Sequence, residues 1–308
     1  FYFQSGDPNN PANWNTLLGG GGTAATVGDF TTINTLFIVP TGRTATLTAN
    51  LAFGSGANNV TLTVQSGGTL NTADFAVQLA GDGSSFNLQN GATLQTSNNG
   101  GINGSSDGSG AIQITAATPA SVTVTYGISA NYVFGTPSIS PQIVNFVPTT
   151  NKPGIVTMNN LTISAGGANQ WSNTFNRTVN GTLTITSGIF RMAGGNLTLN
   201  SAGGLVQSGG TLWMDGGTLV NTVAGALTVQ SGGTFIVGNS ATSAATNPVQ
   251  YNVGGILSYN ASPTLTTGLE FPATMNGNVV INTPNNITLS GATTLNGTLA
   301  LQNGTVTR

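Results

Sequence analysis

The sequence predicts an all-β chain wound into a right-handed parallel β-helix, or solenoid, with an N-terminal cap. An eight-residue segment, Leu-Thr-Val-Gln-Ser-Gly-Gly-Thr, occurs at residues 62–69 and again at residues 227–234. Degenerate copies of this strand-and-turn unit fill much of the chain, and no apolar pattern of period 3.6 indicates a helix. Repetition of one such unit is typical of a solenoid, in which neighbouring coils bury a shared core.

The repeating unit is a short strand of alternating apolar and polar residues, followed by a Ser-Gly or Asn-Gly turn. The strand Val60–Val64 precedes a turn at residues 66–68, and a strand at residues 183–185 precedes a turn at Ser187 and Gly188. Glycines in such turns supply the positive φ angles that other residues reach only at a cost. Coils of roughly 20–25 residues predict about fourteen coils in all. The turn serines of the second half are spaced by 21 and 23 residues: Ser187, Ser208 and Ser231.

A longer repeat is also visible. Residues 158–163 return as residues 275–281, residues 180–183 return as residues 296–299, and the two methionines Met158 and Met275 are 117 residues apart. Tyrosine, phenylalanine, proline and methionine are rare in this chain, so their matched order indicates a duplication of a unit of about five coils. The aromatic residues and prolines that precede the two copies are Tyr132, Phe146 and Pro148, and Tyr251, Phe271 and Pro272.

We divide the chain into four parts. Residues 1–50 form the N-terminal cap and first strands, residues 51–118 and 161–308 form solenoid coils, and residues 119–160 form an irregular coil or excursion rich in proline and aromatic residues. In the cap, we expect Trp14 to plug the first coil. The final coil has no comparable cap, so we expect either a bare β edge or a chain cut after Arg308.

Composition excludes several partners. Only 4% of the residues are charged and the formal net charge is −2, with five basic residues. That is too few for attraction to nucleic acid or to an anionic membrane surface, and no apolar run approaches the roughly 20 residues that a membrane helix needs. So low a charge suits a protein covered by neighbouring copies or by sugar. We therefore expect the partners to be other copies of the chain and surface glycans, not nucleic acid or a membrane.

The sequence predicts no enzyme. It contains no His and no Cys, which excludes a catalytic triad, a thiol nucleophile and a zinc finger. Lys152 and four arginines are scattered, and Glu270 is the only glutamate. The oxygen-rich loop at residues 98–108 holds one carboxylate, too few for calcium, so we expect an inter-coil loop and neither metal nor cofactor. Four aspartates stand in turn contexts, where the side chain usually bonds its own backbone: Asp7, Asp82, Asp107 and Asp215.

The opening run at residues 6–14 resembles the start of very large secreted bacterial surface proteins. The segments at residues 159–163 and 180–188 and the Ser-Gly-Gly-Thr turns are similar to the repeats of the same proteins. These are repeat β-solenoids exported by a type IX-like route, and many are adhesins or filament-forming components. The resemblance covers nearly the whole chain and implies an extracellular location at the cell surface. The chain lacks their C-terminal sorting domain, which implies a processed or truncated piece.

Together these observations predict an extracellular structural protein, a subunit of a bacterial surface filament, sheath or adhesin that assembles through its solenoid ends. Copies would stack through the final coil, or residues 1–4 would insert as a strand into a neighbouring molecule. The alternative is a polysaccharide-binding or polysaccharide-degrading β-helix protein of the lyase or tailspike type, which needs carboxylates and aromatic residues in one cleft. The candidate assembly residues are Phe1, Tyr2, Phe3, Gln4, Trp14, Thr305, Val306, Thr307 and Arg308.

Overall fold

The computed structural model describes residues 1–139, 142–143, 149–241, 247–260 and 264–307. Over these residues the chain is an all-β parallel solenoid of about 12 turns, which confirms the predicted fold class. Fewer turns form than the fourteen coils predicted, because the stretch between residues 97 and 111 adds length without adding a strand. Helical structure in this part of the chain is limited to three 3-10 turns: η1 (Pro11–Asn13), η2 (Val27–Thr31) and η3 (Pro119–Ser121).

The chain divides into two compact units, Phe1–Asn159 and Asn160–Arg308, and the finer division into four parts stays a prediction. The strands of the first unit are β1 (Tyr2–Phe3), β2 (Trp14–Asn15), β3 (Thr35–Val39), β4 (Thr44–Thr46), β5 (Leu51–Gly56), β6 (Val60–Val64), β7 (Thr69–Asn71), β8 (Val77–Gly81), β9 (Ser85–Leu88), β10 (Thr93–Thr96), β11 (Ile112–Ile114), β12 (Thr123–Tyr126), β13 (Asn131–Phe134), β14 (Gln142–Ile143) and β15 (Thr157–Met158).

From β3 to β13, the strands of the first unit pair in parallel with strands of the neighbouring coils. The three resulting stacks are β3-β6-β9-β12, β4-β7-β10-β13 and β5-β8-β11. Because side chains alternate along a strand, inward positions line up into buried ladders, which form the core. One such ladder consists of Phe37, Leu62, Phe86 and Val124.

The N-terminal residues cover one edge of the first unit. β1 pairs in parallel with β3 and antiparallel with β2. Phe3 and Trp14 are fully buried, and their rings lie at 5.2 Å from each other. Phe37 receives the edge of Trp14 at 5.0 Å and the ring of Phe30, from η2, at 4.9 Å. The residues expected to form a cap thus make an aromatic cluster on the first coil, while capping itself stays a prediction.

The described residues of the second unit form seventeen strands. They are β16 (Leu161–Ser164), β17 (Gln170–Asn173), β18 (Arg177–Val179), β19 (Leu183–Met192), β20 (Leu197–Leu199), β21 (Gly204–Val206), β22 (Gly210–Gly217), β23 (Leu219–Asn221), β24 (Leu227–Val229), β25 (Thr234–Ala241), β26 (Gln250–Tyr251), β27 (Ile256–Tyr259), β28 (Leu265–Thr266), β29 (Thr274–Met275), β30 (Asn278–Thr288), β31 (Thr294–Leu295) and β32 (Leu299–Thr307).

The longest stack of the second unit is β17-β19-β22-β25-β27-β30-β32, all in parallel pairing. A second stack is β16-β19-β21-β24-β26, and a third is β18-β20-β23. β19 belongs to both of the first two, because it runs through the predicted turn at Ser187 and Gly188. Gly188 adopts a φ of +73° there. The predicted turn is therefore a bend inside one continuous strand, which carries the chain from one sheet to the next.

The other predicted turns stack on one another. Gly188 donates its N–H to the carbonyl of Gly209 at 3.0 Å, Gly209 donates to Gly232 at 3.0 Å, and Gly232 donates to Gly254 at 2.9 Å. All four have positive φ, between +73° and +82°. The turn of each coil thus hydrogen-bonds to the same turn of the next coil, which fixes the register of the strands on either side.

Candidate functional site

The C-terminal edge of the second unit is the candidate functional site. β32 pairs in parallel with β30, from Val279 opposite Leu299 to Thr288 opposite Thr307. Among the residues that the structure describes, the strand whose register with β32 is defined is β30, and β32 packs mainly on β30. A nine-residue strand therefore presents unpaired backbone N–H and C=O groups, the arrangement to which a further strand can add.

Two core ladders reach this edge and end in exposed residues. Leu299 is 47% exposed and Leu301 is 56% exposed, although both occupy inward positions. All earlier members are at most 2% exposed, because the next coil covers each of them. The first ladder contains Phe190, Leu212, Phe235, Leu257 and Val279, and the second contains Met192, Met214, Val237, Tyr259 and Ile281.

An apolar cavity opens beside Leu299, which is one of its lining residues. Its volume is about 120 Å³, and Thr293 is its one polar lining residue. Val306, which the sequence singled out, is part of the lining. Exposed apolar surface of this kind marks a site of interaction rather than of acid–base chemistry. The remaining lining residues are Phe271, Val279, Ile281, Ile287, Leu289, Leu295 and Leu299.

The edge carries no charge. Neither β30 nor β32 contains an acidic or basic residue, so two such edges would meet without ionic repulsion. Arg308 follows the last residue of β32 in the sequence, and on the other side Glu270 precedes the cavity residue Phe271 and is itself buried. Burial raises the pKa of this carboxyl above its ordinary value. Recognition at the edge therefore depends on apolar burial and backbone hydrogen bonds.

The predicted N-terminal residues are engaged within their own unit. The Phe1 amino group donates to the Leu36 carbonyl at 2.6 Å, and Ile38 donates its N–H to the Phe1 carbonyl at 2.8 Å. Gln4 donates its N–H to the Asn13 carbonyl at 2.9 Å. Tyr2 and Phe3 lie in β1, between β2 and β3, and buried Trp14 donates its indole N–H to the Pro8 carbonyl at 2.8 Å. Insertion of residues 1–4 into another molecule would first require release from β2 and β3.

Three of the predicted C-terminal residues lie on β32. Thr305, Val306 and Thr307 stand opposite Asn286, Ile287 and Thr288 of β30, whereas Arg308 lies outside the described residues. Sequence reasoning missed Leu299 and Leu301, which hold most of the exposed apolar surface of the edge. The longer repeat contained the signal, because it aligns Leu299 with the core residue Leu183.

One ion pair stands on the outer surface of the second unit. The Arg191 Nε donates to the Asp215 Oδ2 at 3.0 Å, and the guanidinium lies 4.5 Å from the centre of the Trp213 ring. Asp215 was predicted to stand in a turn, but it lies inside β22, where it pairs with Arg191. Asp7 does make the predicted local bond, accepting the N–H of Asn9 at 2.9 Å.

Carboxylates do not cluster in the part of the chain that the structure describes, where no group of three or more acidic residues is placed to hold a metal ion. Nor does any helix in these ranges combine the length and the apolar character needed to cross a bilayer. Comparisons of the chain found no matching family model, no matching curated protein and no matching solved structure.

Proposed function

We propose that the chain is a structural protein of the bacterial cell surface, an extracellular filament, sheath or adhesin subunit that associates through its solenoid ends. The observation that carries this proposal is the exposure of the inward residues Leu299 and Leu301 on the last coil. One further β coil would cover both leucines, fill the adjoining cavity and pair the open edge of β32. In every earlier coil of this stack, the next coil already covers the inward residues and pairs with the strand edge.

A second copy of the chain is the occupant that the observations favour. At the other end of the chain, β4 and β5 each pair with a single strand, β7 and β8 respectively, among the described residues. Each unit thus retains a strand edge, and a head-to-tail contact between two such edges gives a filament when its rotation does not close into a ring. The formal net charge of −2 leaves little repulsion between copies. Pairing of β32 with β32 around a two-fold axis would give a closed dimer instead.

The proposal includes an extracellular location and no catalysis. Its support is that His and Cys are missing from the sequence and that the two buried acids of the described residues have structural partners. Asp215 is paired with Arg191, while Glu270 accepts hydrogen bonds from Tyr259 and Gly268. Neither acid faces a second carboxylate across a cleft, as glycoside cleavage requires.

Polysaccharide binding is a second candidate function, and one observation favours it. Trp213 lies on the outer face of β22 between a basic and an acidic side chain, and an aromatic ring beside polar groups is a common platform for sugars. The Arg191 guanidinium already covers one face of that ring, so this candidate has less support. Retarded migration in gels containing acidic polysaccharide, lost in Trp213→Ala, would favour it; equal migration of both proteins would exclude it.

The first prediction tests self-association. Leu301→Lys places a charge at the exposed edge without disturbing a buried site, because Leu301 is 56% exposed. We expect the unsubstituted chain to form concentration-dependent oligomers in analytical ultracentrifugation and fibres in electron micrographs. The variant should remain monomeric, because pairing would bury the ammonium in an apolar contact.

The matched control is Val253→Lys, which adds the same charge at a turn position of the same unit that is 81% exposed. This control should associate as the unsubstituted chain does. A chain that stays monomeric at high concentration would refute the proposal, and so would equal dissociation of the two lysine variants. If dimers form without fibres, the chain associates through the two-fold contact between two β32 strands and not as a filament.

A further inference from the structure

Lys152, the single lysine of the chain, is buried, with 2% of its surface exposed. Its ammonium group lies inside the first unit and points into the loop that precedes β11. Main-chain carbonyl oxygens surround the nitrogen, and no carboxylate oxygen is bonded to it among the described residues. The carbonyls are those of Asn103, Ser106 at 2.9 Å, Asp107 at 3.3 Å, Ser109 at 3.0 Å and Ile112 at 3.0 Å.

Five acceptors exceed what one ammonium can use as separate hydrogen bonds, because it has three protons. The oxygens therefore form a coordination shell around a positive charge. Shells of main-chain carbonyls are how proteins hold potassium. Four of the five oxygens, all but that of Asn103, lie 2.9–3.3 Å from the nitrogen, farther than ligands lie from calcium, at about 2.3–2.6 Å, or from magnesium, at about 2.0–2.1 Å. The shell has the size of a large monovalent cation.

The loop is also tied to the segment that carries the lysine. Asp107 accepts hydrogen bonds from Thr149 Oγ1 at 2.8 Å and from Asn151 Nδ2 at 2.7 Å. Asn103 donates from Nδ2 to the Pro153 carbonyl at 2.8 Å and accepts from the Tyr126 hydroxyl at 2.7 Å. These contacts hold both sides of the shell in place without help from the ammonium. A vacant shell would therefore keep much of its shape.

We propose that residues 103–112 form a monovalent-cation site of the potassium type, in which the side chain of Lys152 supplies the cation. The tethered ammonium makes the loop independent of ions in the medium. Removal of the ammonium leaves a carbonyl shell that binds potassium from solution.

Lys152→Met tests the site, because methionine fills a similar volume without charge. The melting temperature of each protein is measured by circular dichroism in potassium, sodium or choline chloride at equal ionic strength. The unsubstituted chain should melt at one temperature in all three salts. Lys152→Met should melt lower in choline and recover by at least about 3 °C in potassium, with less recovery in sodium. Equal melting of the variant in potassium and choline would overturn the proposal.

Two control variants distinguish an effect of the carbonyl shell on the melting temperature from an effect of charge alone. Arg43→Met removes a positive charge elsewhere in the first unit and should show no dependence on the cation. Lys152→Arg keeps the charge, but its planar guanidinium does not match a shell shaped around one atom, so it should melt below the unsubstituted chain. An arginine variant as stable as the unsubstituted chain would refute a size-matched site.

A second measurement needs no variant. The 308-residue chain has two amines, the Phe1 amino group and the Lys152 ammonium. In a native acylation reaction followed by peptide mass spectrometry, Phe1 should be modified and Lys152 should react at least about tenfold more slowly, as expected of a group exposed only by local opening. Both amines should react in denaturant. If Phe1 and Lys152 are acylated at equal rates in the native protein, the proposal is wrong. This result does not depend on whether Lys152→Met folds.

Discussion

At the level of single residues, Glu270 is an acid held out of water, with 1% of its surface exposed. Its carboxyl is buried in the second unit, where Oε1 accepts from the Tyr259 hydroxyl at 2.9 Å and from the Gly268 N–H at 2.8 Å. Oε2 has no hydrogen-bond partner within the described ranges. Burial raises the pKa above 4.5, and the two donors oppose that rise only in part. The protonated acid therefore suits this site better than the carboxylate does.

This raised pKa predicts how stability depends on pH. A carboxyl with a higher pKa in the folded state than in the unfolded state binds its proton more tightly when folded. Its contribution is fully present below about pH 4.5 and is lost as pH rises through the folded pKa. Urea titrations at several pH values should show this loss for the unsubstituted chain and a flatter profile for Glu270→Gln.

Asp74→Asn is the control for that titration, since Asp74 is exposed and the same exchange of carboxyl for amide should leave the pH profile unchanged. A Glu270→Gln profile as steep as that of the unsubstituted chain would show that another group is responsible.

At the level of elements, one core ladder of the second unit has leucine at three positions that differ in burial, so the effect of a leucine-to-alanine substitution can be compared among them. Leu212 and Leu257 are fully buried between neighbouring coils, whereas Leu299 on β32 is covered on one side only. Truncation of each buried leucine to alanine should cost about 2–5 kcal/mol of unfolding free energy, because it removes apolar contacts and leaves a cavity. Leu299→Ala should cost less than about 1 kcal/mol in the monomer.

Chemical denaturation of the three alanine variants at concentrations too low for association measures this gradient. A cost for Leu299→Ala equal to that of Leu257→Ala would mean that the last coil is covered after all. That result would also remove the main support for association through β32.

Pairing between strands was more predictable than their exact ends. β6 has the predicted bounds, Val60–Val64, because a clear alternation of apolar and polar residues ends at a turn glycine. β19 runs on past Ser187 and Gly188, because Gly188 bends the backbone while the neighbouring coils continue to pair on both sides of it. A Ser-Gly pair alone does not distinguish a bend from a break, since that depends on the coils above and below.

At the level of the whole molecule, a solenoid coil is stabilised by its immediate neighbours, so the end coil should open most easily. Hydrogen exchange of the dilute monomer should therefore show faster exchange in β32 than in β22, which pairs on both edges. At concentrations that permit association, β32 should become protected while β22 is unchanged. Equal protection of the two strands in the monomer would contradict this expectation.

The repeat pattern predicted the fold class, the turn glycines and the absence of an overall helical period. The longer repeat also contained a signal for Leu299, because it aligns this residue with the core residue Leu183. Lys152 could not be placed from sequence, since its shell consists of main-chain oxygens that any residue type can supply. Leu301 was missed for a related reason: its exposure depends on what lies beyond the coil, and the alternation along β32 is the same as that of a buried strand.

The column of turn glycines from Gly188 to Gly254 has one more consequence. The turns at Gly209 and Gly232 each bond to the same turn in the coil before and in the coil after, so this bonding does not specify where in the column each of them belongs. A gene segment that encodes one full coil could be gained or lost there without changes in the sequences of the other coils. The stack of the second unit can therefore change in length by whole coils, each of which adds about 4.8 Å, the spacing between neighbouring strands.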